Sequence, residues 1–367
     1  LGMGEKWRPL AVFFSIAIII ALGCIGNMVQ SNSIAHAMQT AFNVPAAVSG
    51  VVCAVLAGLV FFGGVGRLAS VTEKIVPFMA AIYLIGGLWV IGAHITEVIP
   101  AFRLIFVAAF DPEAVMGGAL GLTVAKAMQF GVARGLFSNE AGMGSTPHAH
   151  AVARVKHPAE QGLAAIIGLF IDTFIVVNMT AFVILCTGSL DGTTTGIALT
   201  QKAFTLGLGT IGNGFVAVCL LFFAFTTIVG WYFFAEQNVK YLVGVRYVSI
   251  YRVLVLAFIM AGSFLHVTLV WELADLFNGL MAIPNIIALI GLSKVVGRAL
   301  EDYEKKFLAG ETPEFGELAP VPADIPRYNG APAQDPALEP KPQHHRRLGG
   351  LRNRFRRRPH NAQENDA

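Results

Sequence analysis

Runs of about twenty apolar residues, the length that crosses a bilayer core as a helix, recur between residues 9 and 293 of this chain. Lipid offers no hydrogen-bond partners, so a spanning segment must satisfy its own backbone, and an α-helix does so within one segment. The apolar runs therefore point to an all-α membrane protein. Composition agrees: 55% of the 367 residues are hydrophobic and only 13% charged, too little charge to cover a soluble protein of this size. Eight spans are expected, at roughly 9–29, 45–64, 76–94, 114–147, 161–187, 211–236, 249–267 and 269–293. Two shorter apolar pieces, 99–110 and 199–208, are expected to lie in the membrane interface or to fold back over the bundle.

Lys and Arg are segregated among the connections. Lys6, Arg8, Arg67, Lys74, Arg154, Lys156, Lys240, Arg246, Arg252, Lys294 and Arg298 fall on one side if the spans alternate, against Arg103 and Lys202 on the other. The positive-inside rule then places both chain ends in the cytoplasm. Residues 1–308 form the membrane domain in this reading. Residues 309–367 are rich in proline and charge, with seven Arg between Arg346 and Arg358, and are expected to be a disordered cytoplasmic tail that meets water or anionic headgroups. So short a basic run, tethered to a membrane, does not indicate nucleic-acid binding. The four cysteines lie inside apolar runs without C-x-x-C spacing, as small buried residues do. The chain opens on Leu1 and enters an apolar helix almost at once, which suggests an N-terminally incomplete sequence.

Polar residues inside the spans need an internal partner. The fourth span is interrupted by "GLFSNEAGMGS", with the helical pattern broken over 135–144 and resumed afterwards. A broken helix exposes carbonyls at the end of its first half and N–H groups at the start of its second, which attract cations and anions respectively. Discontinuous helices at the midplane are where secondary transporters bind substrate. Here Gly142 and Gly144 let a ligand approach the backbone, Ser138 and Asn139 add polar atoms, and Phe137 and Met143 wall the space. The alternative is a plain kink in which Glu140 pairs with Arg134 or caps the second half. In span one, Asn27, Gln30 and Ser31 share a face, either as substrate ligands or as interhelical hydrogen bonds. In span six, Thr226 and Thr227 offer adjacent hydroxyls that suit a hard cation, or simply bond their own helix; Trp231 would limit pocket size. Asp172, Asn178, Asp275, Asn278 and Asn285 are further intramembrane polar groups, and Lys126 is expected to snorkel. His148, His150 and His157 lack Cys or carboxylate partners at ligand spacing and read as interface residues, not a metal centre.

Five segments carry a resemblance: "GVARGLFSNEAGMGSTPHAHAVARVKHPAEQGL", "GCIGNMVQSNS", "FIDTFIVVNMTAFVIL", "FFAFTTIVGWYFFAEQ" and "LADLFNGLMAIPNIIAL". Over residues 7–306 the chain resembles the alanine or glycine:cation symporters, the sodium:alanine symporter family. The resemblance implies a leucine-transporter-type bundle of ten core helices in two inverted repeats. Span one would be core helix three, the broken span four core helix six, and span six core helix eight. The first two core helices would be absent. That register puts Thr226 and Thr227 where the fold's sodium-ligating hydroxyls belong. It implies sodium-coupled symport of small neutral amino acids, alanine or glycine, by alternating access in a prokaryotic cell membrane. Sodium is the coupling ion and no organic cofactor is implied. The substrate site would comprise Asn27, Gln30, Phe137, Ser138, Asn139, Gly142, Met143, Gly144 and Trp231. The rival readings are a transporter-derived sensor signalling through the basic tail, an inactive fragment, or an intramembrane enzyme using Glu140, Asp172 or the histidines. The last lacks a convergent acid–base or metal set, so the expectation is not an enzyme.

Overall fold

The computed structural model describes residues 3–110, 120–311 and 313; among them every regular element is helical. Helix α1 (Glu5–Phe42) passes through a π-helical stretch, Ile19–Gly26, and stops at Asn43, whose φ of 54° forms a left-handed cap that Asn tolerates better than most residues. Pro45 then leads into α2 (Ala46–Phe61), followed by α3 (Gly64–Ala93) and α4 (Ile95–Phe110). The expected fourth span divides into α5 (Leu120–Asn139) and a single turn, α6 (Pro147–His150). Next come α7 (Pro158–Cys186), with a second π-helical stretch at Ile171–Val177, and α8 (Gly196–Leu208). The chain closes with α9 (Gly212–Val243), α10 (Val248–Gly262) and α11 (Val267–Leu308).

Among the described residues six helical runs are long and apolar enough to cross a membrane: Glu5–Phe42, Ser70–Ala93, Pro158–Cys186, Gly196–Val243, Val245–Gly262 and Thr268–Leu308. They correspond to six of the eight expected spans. The second, α2, has 16 residues, short of a full crossing, and the fourth is the broken α5–α6. The first span extends well beyond residue 29 because its polar continuation finds partners. Asn32 Nδ2 donates to the carbonyls of Gly262 and Leu265 at 2.9 and 2.8 Å, which answers the free carbonyls at the end of α10. The piece over 199–208 takes the second of its two expected courses and folds back onto the bundle. Gly209, at φ 69°, turns α8 back onto α9, and Phe204, fully buried, lies against Val216 and Cys219. His157 is fully buried. Its Nδ1 accepts from Ala159 N and so caps α7, and its Nε2 meets Asp302 at 3.3 Å. Of the tail expected over 309–367, only 309–311 and 313 are among the described residues, as are all but 114–119 of the fourth span.

Helices α1 and α9 form the centre. They approach closely because α1 presents glycines to α9: a Cβ on Gly26 would sit 2.6 Å from the Trp231 ring, and one on Gly23 2.7 Å from Ala235 Cβ. Small residues at a contact are how membrane helices gain packing without a hydrophobic driving force. Around this seam lie Ile34, Phe61, Ile228, Tyr232, Val255 and Ile259, all buried. The outer faces of α3, α7 and α11 expose Leu88, Trp89, Ile166, Phe174 and Ile290, a distribution suited to lipid contact. Glu236 is the buried acid of the seam; it accepts from Tyr232 and pairs with Lys240 at 2.7 Å, so its charge is answered.

Gly26→Leu should push the Trp231 ring off α1. An overpacking cost of roughly 1–3 kcal/mol is expected, measurable as a lower unfolding midpoint of the detergent-solubilised protein relative to the exposed control Gly92→Leu.

Candidate functional site

The site is built where α5 stops. The helix persists through Asn139, so Gly135, Phe137 and Ser138 are helical and the break is later and narrower than the sequence pattern suggests. Ser138 and Asn139 prolong the helix by docking on α7: Ser138 Oγ and Asn139 Nδ2 both donate to Asp172 at 3.0 Å, and Asn139 also reaches Thr173 Oγ1 at 2.6 Å. Asp172 and Thr173 lie in the π-helical stretch of α7, and Asn178 Nδ2 caps the Thr173 carbonyl at 2.8 Å.

Three positive φ angles then turn the chain: Glu140 at 51°, Gly142 at 74° and Gly144 at 76°. Two are glycines, which adopt this region freely. Glu140 is not, and its left-handed conformation costs about 1–2 kcal/mol. Its carboxylate offsets this. One oxygen accepts from Trp231 Nε1 at 2.5 Å, and the other from Thr146 Oγ1 at 3.0 Å and from Ser145 Oγ. Asn285 of α11 holds the loop from the other side, donating to the Gly142 carbonyl at 2.9 Å. A Cβ on Gly144 would lie 2.6 Å from Asn285 Oδ1 and 3.0 Å from the Phe14 ring. The resumed helix is one turn long, with His148 tied to the Ser145 carbonyl at 2.8 Å and to Asn238 of α9 at 2.8 Å.

Apolar walls surround the break. Met143 is fully buried with Ile18, Leu22, Trp231 and Met281, and Phe137 packs against this cluster. Phe137 meets Trp231 edge-on at 5.2 Å and Trp271 at 5.0 Å. Above Trp271, at 4.1 Å, sits the Arg134 guanidinium, which also grips Asp275 through two hydrogen bonds of 2.8 and 3.0 Å. The sequence offered Arg134 as a partner for Glu140; the structure gives Arg134 to Asp275 and Glu140 to Trp231 and the two hydroxyls.

Of the expected site residues, Phe137, Met143 and Trp231 come together, with Gly142 and Gly144 in the adjoining loop. Asn27, fully buried, follows Gly26 on α1; its Nδ2 donates to Gly23 O at 3.0 Å, while its Oδ1 is buried without a hydrogen-bond partner. Gln30 is half-buried one turn on. Thr226 and Thr227 precede Trp231 on α9. Both hydroxyls donate to their own helix, Thr226 to Phe222 and Phe223 and Thr227 to Phe223, at 2.9–3.0 Å. Thr226 also lies 4.0 Å from Met79 Sδ of α3. Each hydroxyl oxygen keeps a lone pair. Sequence reasoning noted Asp172, Asp275 and Asn285 without assigning them to the break; their recurrence as acids and amides inside apolar spans was the signal.

A discontinuous helix among apolar helices long enough to cross a bilayer marks a multi-span membrane protein, with aromatic side chains gathered at the break. The sequence profile of the sodium:alanine symporter family matches residues 1–317. The chain is 48% identical over 305 residues to an uncharacterized transporter of Haemophilus influenzae, covering 82% of this chain and 66% of that one. It is 40% identical over 299 residues to the sodium/alanine symporter AgcS of Methanococcus maripaludis, covering 80% and 64%. It is 39% identical over 316 residues to the probable sodium/glutamine symporter GlnT of Bacillus subtilis, covering 86% and 65%. The chain belongs to the sodium:alanine symporter family. It spans about two thirds of the length of these relatives.

Asn285→Ala should leave the Gly142 carbonyl unpaired. A loss of roughly 1–3 kcal/mol is expected, read as a lower unfolding midpoint, with Asn285→Gln recovering part of it.

Proposed function

We propose that this chain works in sodium-coupled symport of a small neutral amino acid, alanine or glycine, by alternating access across a prokaryotic cell membrane with both ends cytoplasmic. The observation that carries the reading is the α5–α6 break: two positive-φ glycines beside an aromatic wall, inside an apolar bundle, with the unpartnered Asn27 Oδ1 on the facing helix. The names of the relatives support the chemistry, since AgcS is a sodium/alanine symporter and a Bacillus relative is a sodium/proton-dependent alanine carrier. The fold we infer is the leucine-transporter-type inverted repeat, with α5–α6 as its broken helix.

In this reading the zwitterion lies against residues 137–144. Its ammonium group donates to Asn27 Oδ1, the buried acceptor that lacks a partner, and to carbonyls at the end of α5. Its carboxylate takes the N–H groups of Gly142 and Gly144 and the amide of Gln30, while Asn139 and Ser138, held on Asp172, fix the rim of the site. Phe137, Met143 and Trp231 leave room for a methyl group or a hydrogen. The hydroxyls of Thr226 and Thr227, with helix carbonyls, form the kind of neutral oxygen set that suits a hard monovalent cation. Sodium bound there orders the α9 face that carries Trp231, so each ligand raises the affinity of the other by the same factor.

Reconstituted protein should take up labelled alanine when sodium is present and lose most of that uptake when choline replaces it. Thr227→Ala should raise the sodium concentration needed, and Asn139→Ala should raise the alanine KM, each about tenfold, equivalent to about 1.4 kcal/mol. Uptake that ignores both sodium and proton gradients would sink symport, and stronger competition by glutamine than by alanine would replace the substrate.

A further inference from the structure

We propose that Glu140 is a positioning residue whose carboxylate pins the Trp231 indole and so fixes the largest side chain that the amino-acid site admits. This rests on the reading of Phe137, Met143 and Trp231 as its walls.

The indole has one polar atom, Nε1, and inside a lipid-facing bundle it needs an acceptor. Glu140 supplies it at 2.5 Å from a position 91 residues away in sequence. The other faces of the ring are bounded by Gly26, where a Cβ would lie 2.6 Å from the ring, and by Phe137, packed at 88° to it. Trp231 is 3% exposed, so its orientation follows from these three contacts. Two of them hold by bulk and only one by direction. That directional contact is itself anchored, because the second carboxylate oxygen takes the Ser145 and Thr146 hydroxyls.

Capping the Ser145 and Thr146 hydroxyls does not by itself require this residue. Asp or Asn accepts from such hydroxyls and enters the left-handed region more readily than Glu. What the longer side chain adds is reach: it spans from the loop to α9 while still gripping Ser145 and Thr146. The position therefore joins two elements that would each bound the substrate, the broken helix and the α9 face. Loss of that join frees the indole to swing from the pocket and relaxes the limit on substrate size.

The test uses purified protein carrying 15N-indole tryptophan. The chain has four tryptophans, and the Trp231 Nε1–H signal is assigned with Trp231→Phe. In Glu140→Ala the Trp231 signal should move upfield, as a weakened hydrogen bond requires, while the others stay. Glu140→Asp keeps the charge and the cap but falls a methylene short of α9, and should move the signal likewise. Glu140→Gln retains a carbonyl at full reach and should hold it near its original place. In competition binding, the preference for alanine over leucine should fall about tenfold in the Ala and Asp variants and be largely restored in Gln. A Trp231 signal indifferent to Glu140→Asp, or a moved signal with unchanged alanine/leucine preference, would overturn the proposal. The indole signal needs no substrate, so failure of the unmodified protein to bind either amino acid would sink the functional reading separately.

Discussion

A backbone that leaves its helix within a membrane bundle must find its hydrogen-bond partners inside the protein, because lipid supplies none. The segment between Asn139 and Pro147 meets that constraint partly within itself, Met143 N bonding the Glu140 carbonyl at 3.2 Å, and partly through α11, while its polar side chains find partners of their own. Glu140 satisfies Ser145, Thr146 and the indole of Trp231, and Asn285 satisfies the Gly142 carbonyl. Asp172 and Thr173 fix the last turn of α5. Each partner lies on an element that must be in place first, so the break reports on the packing of α7, α9 and α11 together. This is why a stretch rich in glycine and polar residues takes one defined shape here.

Helices α1 and α9 set the distances. Glycine at positions 23 and 26 lets α9 come close enough for Trp231 to lie over α1. Immediately after that contact comes Asn27, whose carbonyl oxygen remains buried and unpartnered. Both π-helical stretches sit beside the break: one ends at Gly26, the other carries Asp172 and Thr173. Such stretches widen a turn and often mark functional sites. In this protein the second brings Asp172 and Thr173 to the end of α5, and the first leads directly into the buried Asn27.

The all-helical membrane class and the presence of a broken helix were legible in the sequence, because lipid allows so few alternatives to an apolar run of this length. Residue-level boundaries were less legible where tertiary partners override local pattern. The apolar signal of α1 fades near residue 29, yet the helix continues to Phe42 because Asn32 answers carbonyls of Gly262 and Leu265. Polarity from residue 138 suggested an early break, yet Asp172 keeps Ser138 and Asn139 helical. For the short run 199–208 the sequence left the interface and a fold back over the bundle both open; Gly209 turns it onto α9. At the site, Phe137, Met143 and Trp231 could be named from type and spacing. The partner choices of Arg134 and Glu140 could not, since both depend on contacts more than 90 residues away.

The account stands or falls on whether the amino acid binds at the α5–α6 break. Hydrogen exchange of the backbone amides over 141–148 measures this directly in the purified protein. Alanine and sodium together should slow exchange there well beyond the effect of either alone, with α2 and α4 unchanged. Exchange over 141–148 that is the same with and without both ligands would contradict it.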